Sequence, residues 1–258
     1  MTRLSINLNK VALVRNARDL GIPSLGTAAR ACLAAGAHGI TVHPRPDGRH
    51  VVPADVRALA APAGPVRELG AELNVDGYPS DDFLALVCET RPDQCTLVPD
   101  APGQRTSDQG WDVARERGLL ERAARRLHDA GVRVSLFVDA ATPAEVARVP
   151  LAREVGADRV ELYTEPWART HATASTSAAG APDGAHLLAC FADAAARAHR
   201  AGLGVNAGHD LNLRNLPPFV AAVPALAEVS IGHAFVADAL EVGYGAAVRA
   251  YLAALDRC

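Results

Sequence analysis

Short apolar runs recur along the chain, each closed by polar residues and separated from the next by a stretch of helical spacing. The runs are LSINL (4–8), GITVH (39–43), AELNV (71–75), CTLVP (95–99), VSLFVD (134–139), RVELY (159–163), GVNAG (204–208) and VSIGH (229–233). Runs of this length, rich in Val, Ile and Leu and bounded by Gly, Pro, Asn or Asp, predict strands. Between them, LGTAARACLAAG, SDDFLALVCET, RGLLERAARRLHDAG, AEVARVPLAREVG and HLLACFADAAARAHRAG carry apolar side chains three and four apart and predict amphipathic helices.

A weak internal repeat orders these elements. LAAGAHGITVH, HDAGVRVSLFVD, REVGADRVELY and HRAGLGVNAGH each run helix, glycine, short link, strand. Glycine just past a helix adopts the left-handed cap and turns the chain straight into the next strand. Eight strands joined by helical crossovers require parallel pairing and predict an α/β fold, a (β/α)8 TIM barrel occupying residues 1–258 as a single domain. A doubly wound open sheet is the competing architecture, and the absence of GxGxxG after the first strand counts against it.

The polar residues that close the strands form a second pattern. Asn7 and Asn9 follow strand one, His43 and Arg45 strand two, Asn74 and Asp76 strand three, and Asp139 strand five. Glu161 lies in strand six, Asn206 and His209 close strand seven, and Gly232-His233 ends strand eight. In a parallel barrel all of these ends meet on the face where barrel enzymes keep their catalytic groups. Ordinary solvent-facing ends would not favour histidine and asparagine over lysine, serine and glutamate so consistently.

Composition narrows the class. The net charge is −3, which argues against a general nucleic-acid surface and leaves room only for a local basic pocket. Five cysteines without a CxxC pair suit reduced thiols in the cytoplasm. The N-terminal stretch carries charge throughout and lacks a long apolar segment, so neither a secretory signal nor a membrane span is expected. Lys10 is the one lysine among the basic residues.

The chemistry these residues support is acid–base work on an anionic substrate. His43, His50, His209 and His233 are candidate proton shuttles, and Asp76 and Glu161 are candidate bases or stabilisers of cations. Arg18, Arg45 and Arg49 are candidate phosphate ligands, since guanidinium forks match phosphate oxygens. Gly208 and Gly232 stand where barrels often hold phosphate on backbone N–H groups, although tight strand-to-helix packing explains either glycine equally well. Lys10 is a Schiff-base candidate or a cation for a phosphate. No HExxH, HxH or Cys/His spacing marks a metal site, so none is expected. The segment PDAPGQRTSDQG (99–110) is a candidate lid and THATASTSAAGAPDGAH (170–186) a surface loop.

The segments NLNKVALVRNAR, GITVHPRPDGRH, ELNVDGYPS, TLVPD with TSDQGWD, DRVELYTEP, GLGVNAGHDLNL and EVSIGHAF together resemble the pyridoxine 5′-phosphate synthase family. The resemblance covers most of the chain. It implies a (β/α)8 barrel with additional helices, assembled as a homo-octamer, with no cofactor and no metal; charge and the N-terminal stretch lead to the expectation of a cytoplasmic protein with no nucleic acid and no membrane partner. It implies small phosphorylated substrates: 3-amino-2-oxopropyl phosphate and 1-deoxy-D-xylulose 5-phosphate, condensed to pyridoxine 5′-phosphate, phosphate and water. By motif, His43 and Asp76 match the family's proton acceptors, His209 its proton donor and Glu161 its transition-state stabiliser. Asn7, Arg18, Asp210, Gly232 and His233 match the residues that hold the amino-ketone phosphate. Asn9, Lys10, Arg45, His50 and Thr106 match those that hold the sugar phosphate.

The chain departs from many members in having Asn9-Lys10 for Asp-His, Asp210 for Gly and Asp76 for Glu. The last change shortens the strand-three carboxylate by one methylene. It leaves open a divergent aldolase- or isomerase-like barrel acting on another carbonyl phosphate. A phosphometabolite-binding protein without catalysis is the third possibility, against which His43, Glu161 and His209 weigh.

Overall fold

The computed structural model describes residues 1–100, 104, 106–174 and 184–256. Eight strands, β1 (Arg3–Asn7), β2 (Gly39–Val42), β3 (Glu72–Gly77), β4 (Gln94–Leu97), β5 (Arg133–Val138), β6 (Arg159–Tyr163), β7 (Gly204–Gly208) and β8 (Glu228–Ile231), close into a barrel in sequence order. Every pairing is parallel, and β8 returns to β1 through Arg3↔Glu228 to Ile6↔Ile231. Each of the eight runs recognised in the sequence is a strand, with ends shifted by no more than two residues.

Helices α1 (Asn9–Asn16) and α2 (Leu25–Ala34) follow β1; α3 (Pro53–Ala60) and α4 (Pro65–Glu68) follow β2; α5 (Asp81–Thr90) follows β3 and α6 (Arg117–Asp129) follows β4. Then come α7 (Pro143–Arg148) and α8 (Leu151–Glu154) after β5, and α9 (Glu165–Ala174) and α10 (Gly184–Arg200) after β6. Helix α11 (Leu216–Ala222) follows β7, and α12 (His233–Val242) and α13 (Tyr244–Asp256) follow β8. The single helix expected over AEVARVPLAREVG is two, because Pro150 lacks the N–H that would continue α7. The expected loop over 170–186 is helical at both ends, in α9 and α10, and its middle lies outside the described residues.

The glycine repeat has the predicted geometry. Gly36, Gly131, Gly156 and Gly202 all have positive φ, from 78° to 107°. After each one the next N–H reaches back to a carbonyl of the helix's last turn: Ala37 to Cys32 at 3.2 Å, Val132 to Leu127 at 3.0 Å, Ala157 to Ala152 at 3.0 Å and Leu203 to Ala198 at 2.9 Å. This six-to-one closure satisfies the orphan carbonyls and aims the chain at the next strand.

The strands alternate in a way that positions the site. Leu4, Ile6, Ile40, Val42, Leu73, Val75, Val160 and Leu162 join the apolar cluster shared with the helices. The intervening residues Ser5, Thr41, Asn74 and Glu161 are polar and buried, and several join neighbouring strands by side-chain hydrogen bonds. Ser5 and Thr41 hydroxyls lie 2.7 Å apart, and the Thr96 hydroxyl donates to Asn74 Oδ1 at 3.0 Å. Lower down, Glu72 pairs with Arg3 and Arg133, and Arg159 donates to Asn206 Oδ1 at 3.2 Å. The barrel axis is therefore lined by hydrogen-bonding side chains, where many barrels stack branched apolar ones.

Candidate active site

The C-terminal ends of the strands enclose a cavity of about 330 Å³. Asn7 enters it from the end of β1, with Asn9 and Lys10 from the first turn of α1. His43, Arg45, Arg49 and His50 come from the segment after β2, Asp76 from β3 and Glu161 from β6. His209 and Asp210 follow β7, Gly232 and His233 follow β8, and Thr106 approaches from the segment after β4. Thirteen of the fourteen residues that the motifs assign to catalysis and substrate therefore share one cavity.

Arg18 is the exception. It is exposed on the turn beyond α1 and does not line the cavity. Helix α1 starts at the cavity with Asn9 and Lys10 and runs away from it, carrying Arg18 roughly 12 Å along at about 1.5 Å per residue. Gly208 also departs from its sequence reading. Instead of lining the cavity it gives clearance to Glu161, whose Oε1 would lie 2.3 Å from a Cβ at that position. Asp139 lies in a neighbouring cleft, where it accepts the Gly110 N–H at 2.9 Å.

Local chemistry explains how the histidine-bearing segment holds its shape. Asn7 Oδ1 accepts the Asn9 N–H at 2.9 Å, and Asn9 Oδ1 accepts the His43 N–H at 2.8 Å. The end of β1 thus sets the backbone of the residue that leaves β2. Gly48, at φ +62°, turns the loop, and a bridge between Pro44 and Val51 closes it. His50 Nδ1 accepts the Val51 N–H at 2.9 Å, which leaves its ring proton on Nε2 in the neutral form.

Burial dominates the electrostatics. It pushes His43 well below its ordinary value, with the Arg45 charge adding to the effect. It lowers His50 to about 4, helped by Arg45 and Lys10. His209 is also lowered to about 4 by burial, with Asp210 opposing and Arg45 reinforcing the shift. The carboxyls move the other way. Burial, and then the neighbouring Glu161, raise Asp76 well above the usual range. Glu161 rises to about 8 through burial and then Glu228. At neutral pH these shifts keep His50 and His209 neutral and favour the protonated form of Glu161 in the free site.

His209 is held in an uncommon conformation. Its φ is +80° and that of Asp210 is +59°, a left-handed pair that non-glycine residues seldom adopt. The Thr164 hydroxyl lies 2.7 Å from Gly208 O and 2.5 Å from His209 O, tying the turn to β6. The imidazole packs on Phe137 and Tyr163 with centroids 4.6 and 5.5 Å away. Its Nδ1 is buried with no hydrogen-bond partner among the described residues.

Thr96, Ser107 and Ser230 also line the cavity, and none was singled out from the sequence. Serine and threonine are too common at strand ends to stand out. Asp100, buried directly behind Arg45 and Ser107, was missed as well. Its signal was available: CTLVP alone among the eight runs closes on a proline, and the polar residue follows one place later. The segment 99–110, expected to be a lid, lies partly outside the described residues. Among the described residues no three His, Cys, Asp or Glu side chains are grouped to hold a metal, and no helix is long and apolar enough to cross a membrane.

Residues 4–257 match the family model described as pyridoxal phosphate biosynthesis protein PdxJ. A protein of Xanthomonas axonopodis pv. citri named pyridoxine 5′-phosphate synthase is 51% identical over 258 residues, covering 97% of this chain and 95% of its own length. One of the same name from Albidiferax ferrireducens is 53% identical, covering 97% and 96%. Among solved structures, phosphoribosyl anthranilate isomerase from Thermotoga maritima superposes with a TM-score of 0.60 at 14% identity, covering 100% of both chains. Tryptophan synthase from M. tuberculosis gives 0.63 at 12%, covering 98% of this chain and 92% of its own. At such identities the structural likeness establishes the barrel alone.

Proposed function

We infer the function from a premise the match establishes: the chain belongs to the PdxJ family of pyridoxal phosphate biosynthesis proteins. It is an enzyme of pyridoxine biosynthesis acting as a pyridoxine 5′-phosphate synthase. Its substrates are 3-amino-2-oxopropyl phosphate and 1-deoxy-D-xylulose 5-phosphate, joined with loss of phosphate and water. The observation that carries this reading is the convergence of His43, Asp76, Glu161 and His209 from four separate strands on one buried cavity flanked by cationic groups.

The geometry supports a division of labour. Arg45, His50 and Lys10 lie together, a cationic end for the sugar phosphate. Gly232 at the N-terminus of α12, with His233, Asn7 and Asp210, forms the other end, where backbone N–H groups face the amino-ketone phosphate. Between them the amine of one substrate condenses with the ketone of the other. His43, neutral in the free site, accepts a proton, and His209 returns one to a leaving oxygen. Glu161 and Asp76 answer the positive charge that develops on nitrogen, and a cationic intermediate restores the ionised form that burial disfavours.

Self-association as a homo-octamer is part of the proposal. Leu13 and Val14 of α1, Leu20 and Ile22 beyond it, and Leu240 and Val242 of α12 are exposed, and α1 packs beside α12. Such apolar exposure favours burial between copies. The four described cysteines are free thiols, which fits a reducing cytoplasm. Incubating the purified protein with both phosphates and weighing the product tests the activity. Pyridoxine 5′-phosphate is expected, and its absence under conditions where both phosphates bind refutes the reading. Native mass spectrometry tests the assembly.

A further inference from the structure

Asp100 follows β4 on the cavity side but does not itself line the cavity. It lies behind Arg45, Ser107 and His43, which do. Its side chain is 5% exposed. One oxygen, Oδ2, gathers all three neighbours: Arg45 Nη2 donates to it in a close ion pair, Ser107 Oγ donates at 2.9 Å, and His43 Nε2 stands 3.8 Å away. The other oxygen, Oδ1, is buried with no hydrogen-bond partner among the described residues. A buried carboxylate with half its acceptor capacity unused, just outside hydrogen-bond reach of an imidazole, is held short of a second partner.

We propose that Asp100 is a positioning residue for His43, held by Arg45 in the free enzyme and handed to the His43 imidazole when a substrate phosphate engages the Arg45 guanidinium. The inference rests on the reading of Arg45 as a phosphate ligand. Arg45 Nη1 is already committed to Gln104 O at 2.9 Å, so an incoming phosphate competes with Asp100 for the remaining face. Loosening that pair leaves a buried negative charge beside His43, which a shift of about 1 Å converts into a hydrogen bond. The base then gains a counter-ion only after substrate has arrived.

Electrostatics point the same way. The groups facing His43 are Arg45, Arg49 and His50 from its own segment, Asp100 from beyond β4 and His209 from beyond β7; Lys10, Asp76 and Glu161 share the cavity. In the free site, burial and then Arg45 hold the imidazole neutral. Burial raises the Asp100 carboxyl, and Arg45 is first among the groups that pull it back. A phosphate at Arg45 offsets that cation, which eases protonation of His43; the same loss raises the Asp100 carboxyl further, so the proton taken up is shared between Asp100 and His43.

The test compares wild type, Asp100→Asn, Asp100→Glu and Arg45→Gln as intact enzyme, each checked for an unchanged fold by circular dichroism. Calorimetric titration with 1-deoxy-D-xylulose 5-phosphate, in two buffers of different ionisation heat, counts the protons taken up on binding. Wild type is expected to take up more than Asp100→Asn, by as much as one proton near pH 6.5. In Asp100→Asn, kcat falls by about tenfold or more while sugar-phosphate affinity is not weakened, and Asp100→Glu recovers part of kcat. Equal proton uptake in wild type and Asp100→Asn overturns the proposal. So does weakened affinity with normal kcat, which marks Asp100 as a prop for Arg45 alone. If Arg45→Gln binds the sugar phosphate as tightly as wild type, the phosphate assignment itself is wrong and the proposal falls with it.

Discussion

Replacing Gly208 with alanine isolates the placement of Glu161 from the integrity of the fold. Gly208 ends β7, opposite Tyr163 on β6 and Ser230 on β8. Its φ is not in the left-handed region, so alanine meets no backbone strain there. The added methyl instead meets Glu161 Oε1 at 2.3 Å and Cδ at 3.3 Å, while the nearest backbone atom, Ser230 O, stays at 3.5 Å. Ordinary contact begins at 3.4 Å, so the carboxyl must retreat by about 1 Å, and the open direction is into the cavity. Turning one side chain off its preferred rotamer costs about 1 kcal/mol in stability, a fall of roughly 2–4 °C in Tm for a domain of this size. A displacement near 1 Å at a reacting group costs on the order of a hundredfold in rate, or about 2.7 kcal/mol of barrier. Gly208→Ala should therefore fold, bind both phosphates and lose kcat by about a hundredfold. Gly202→Ala is the matched control: its methyl meets nothing within 4 Å, but φ is +78°, so it should lose about 1 kcal/mol of stability and keep full kcat. The assay is steady-state formation of pyridoxine 5′-phosphate beside thermal unfolding of each variant. A Gly208→Ala enzyme within about threefold of wild-type kcat would refute the argument that Gly208 exists to seat Glu161.

Three further outcomes follow from the same geometry. Burial holds Glu161 at about 8 and Glu228 at about 7 against an ordinary 4.5, so the folded chain keeps protons that the unfolded chain has released between pH 4.5 and 8. His50 and His209, lowered from 6.5 to about 4, act oppositely and only below pH 6.5. Stability should thus fall between pH 6.5 and 8, by up to about 1.4 kcal/mol per pH unit per proton, and Glu161→Gln should flatten the fall; equal slopes in chemical denaturation would contradict it. Asp76→Asn keeps a partner for the Asn74 amide, which donates to Asp76 Oδ1 at 2.8 Å, but removes a titratable group; kcat should drop by about 10²–10⁴ with little change in Tm. Asp210, at φ +59°, should tolerate glycine without loss of stability, whereas alanine should cost about 1 kcal/mol, as urea unfolding would show.

Much of the architecture was legible locally. Alternating apolar residues mark a strand wherever one face must leave water, and a glycine after a helix marks a left-handed cap whatever surrounds it. From such cues the eight strands, their parallel order and the meeting of Asn7, His43, Asp76, Glu161, His209 and Gly232 follow along the chain. Other features depended on distances between segments far apart in sequence. The polar lining of the barrel follows from Ser5, Thr41, Asn74 and Thr96 joining neighbouring strands, and no single strand carries that information. Arg18 belongs to the motif at the end of β1, yet the direction of α1 removes it from the cavity. The position of Asp100 against Arg45 and His43, and the shifts that lower His43, His50 and His209 while raising Asp76 and Glu161, exist only once those groups are enclosed. Hydrophobic pattern and turn chemistry act over a few residues and are written into the order of amino acids. Desolvation and Coulomb energy depend on what lies within a few ångströms in space, and only the closed barrel decides that.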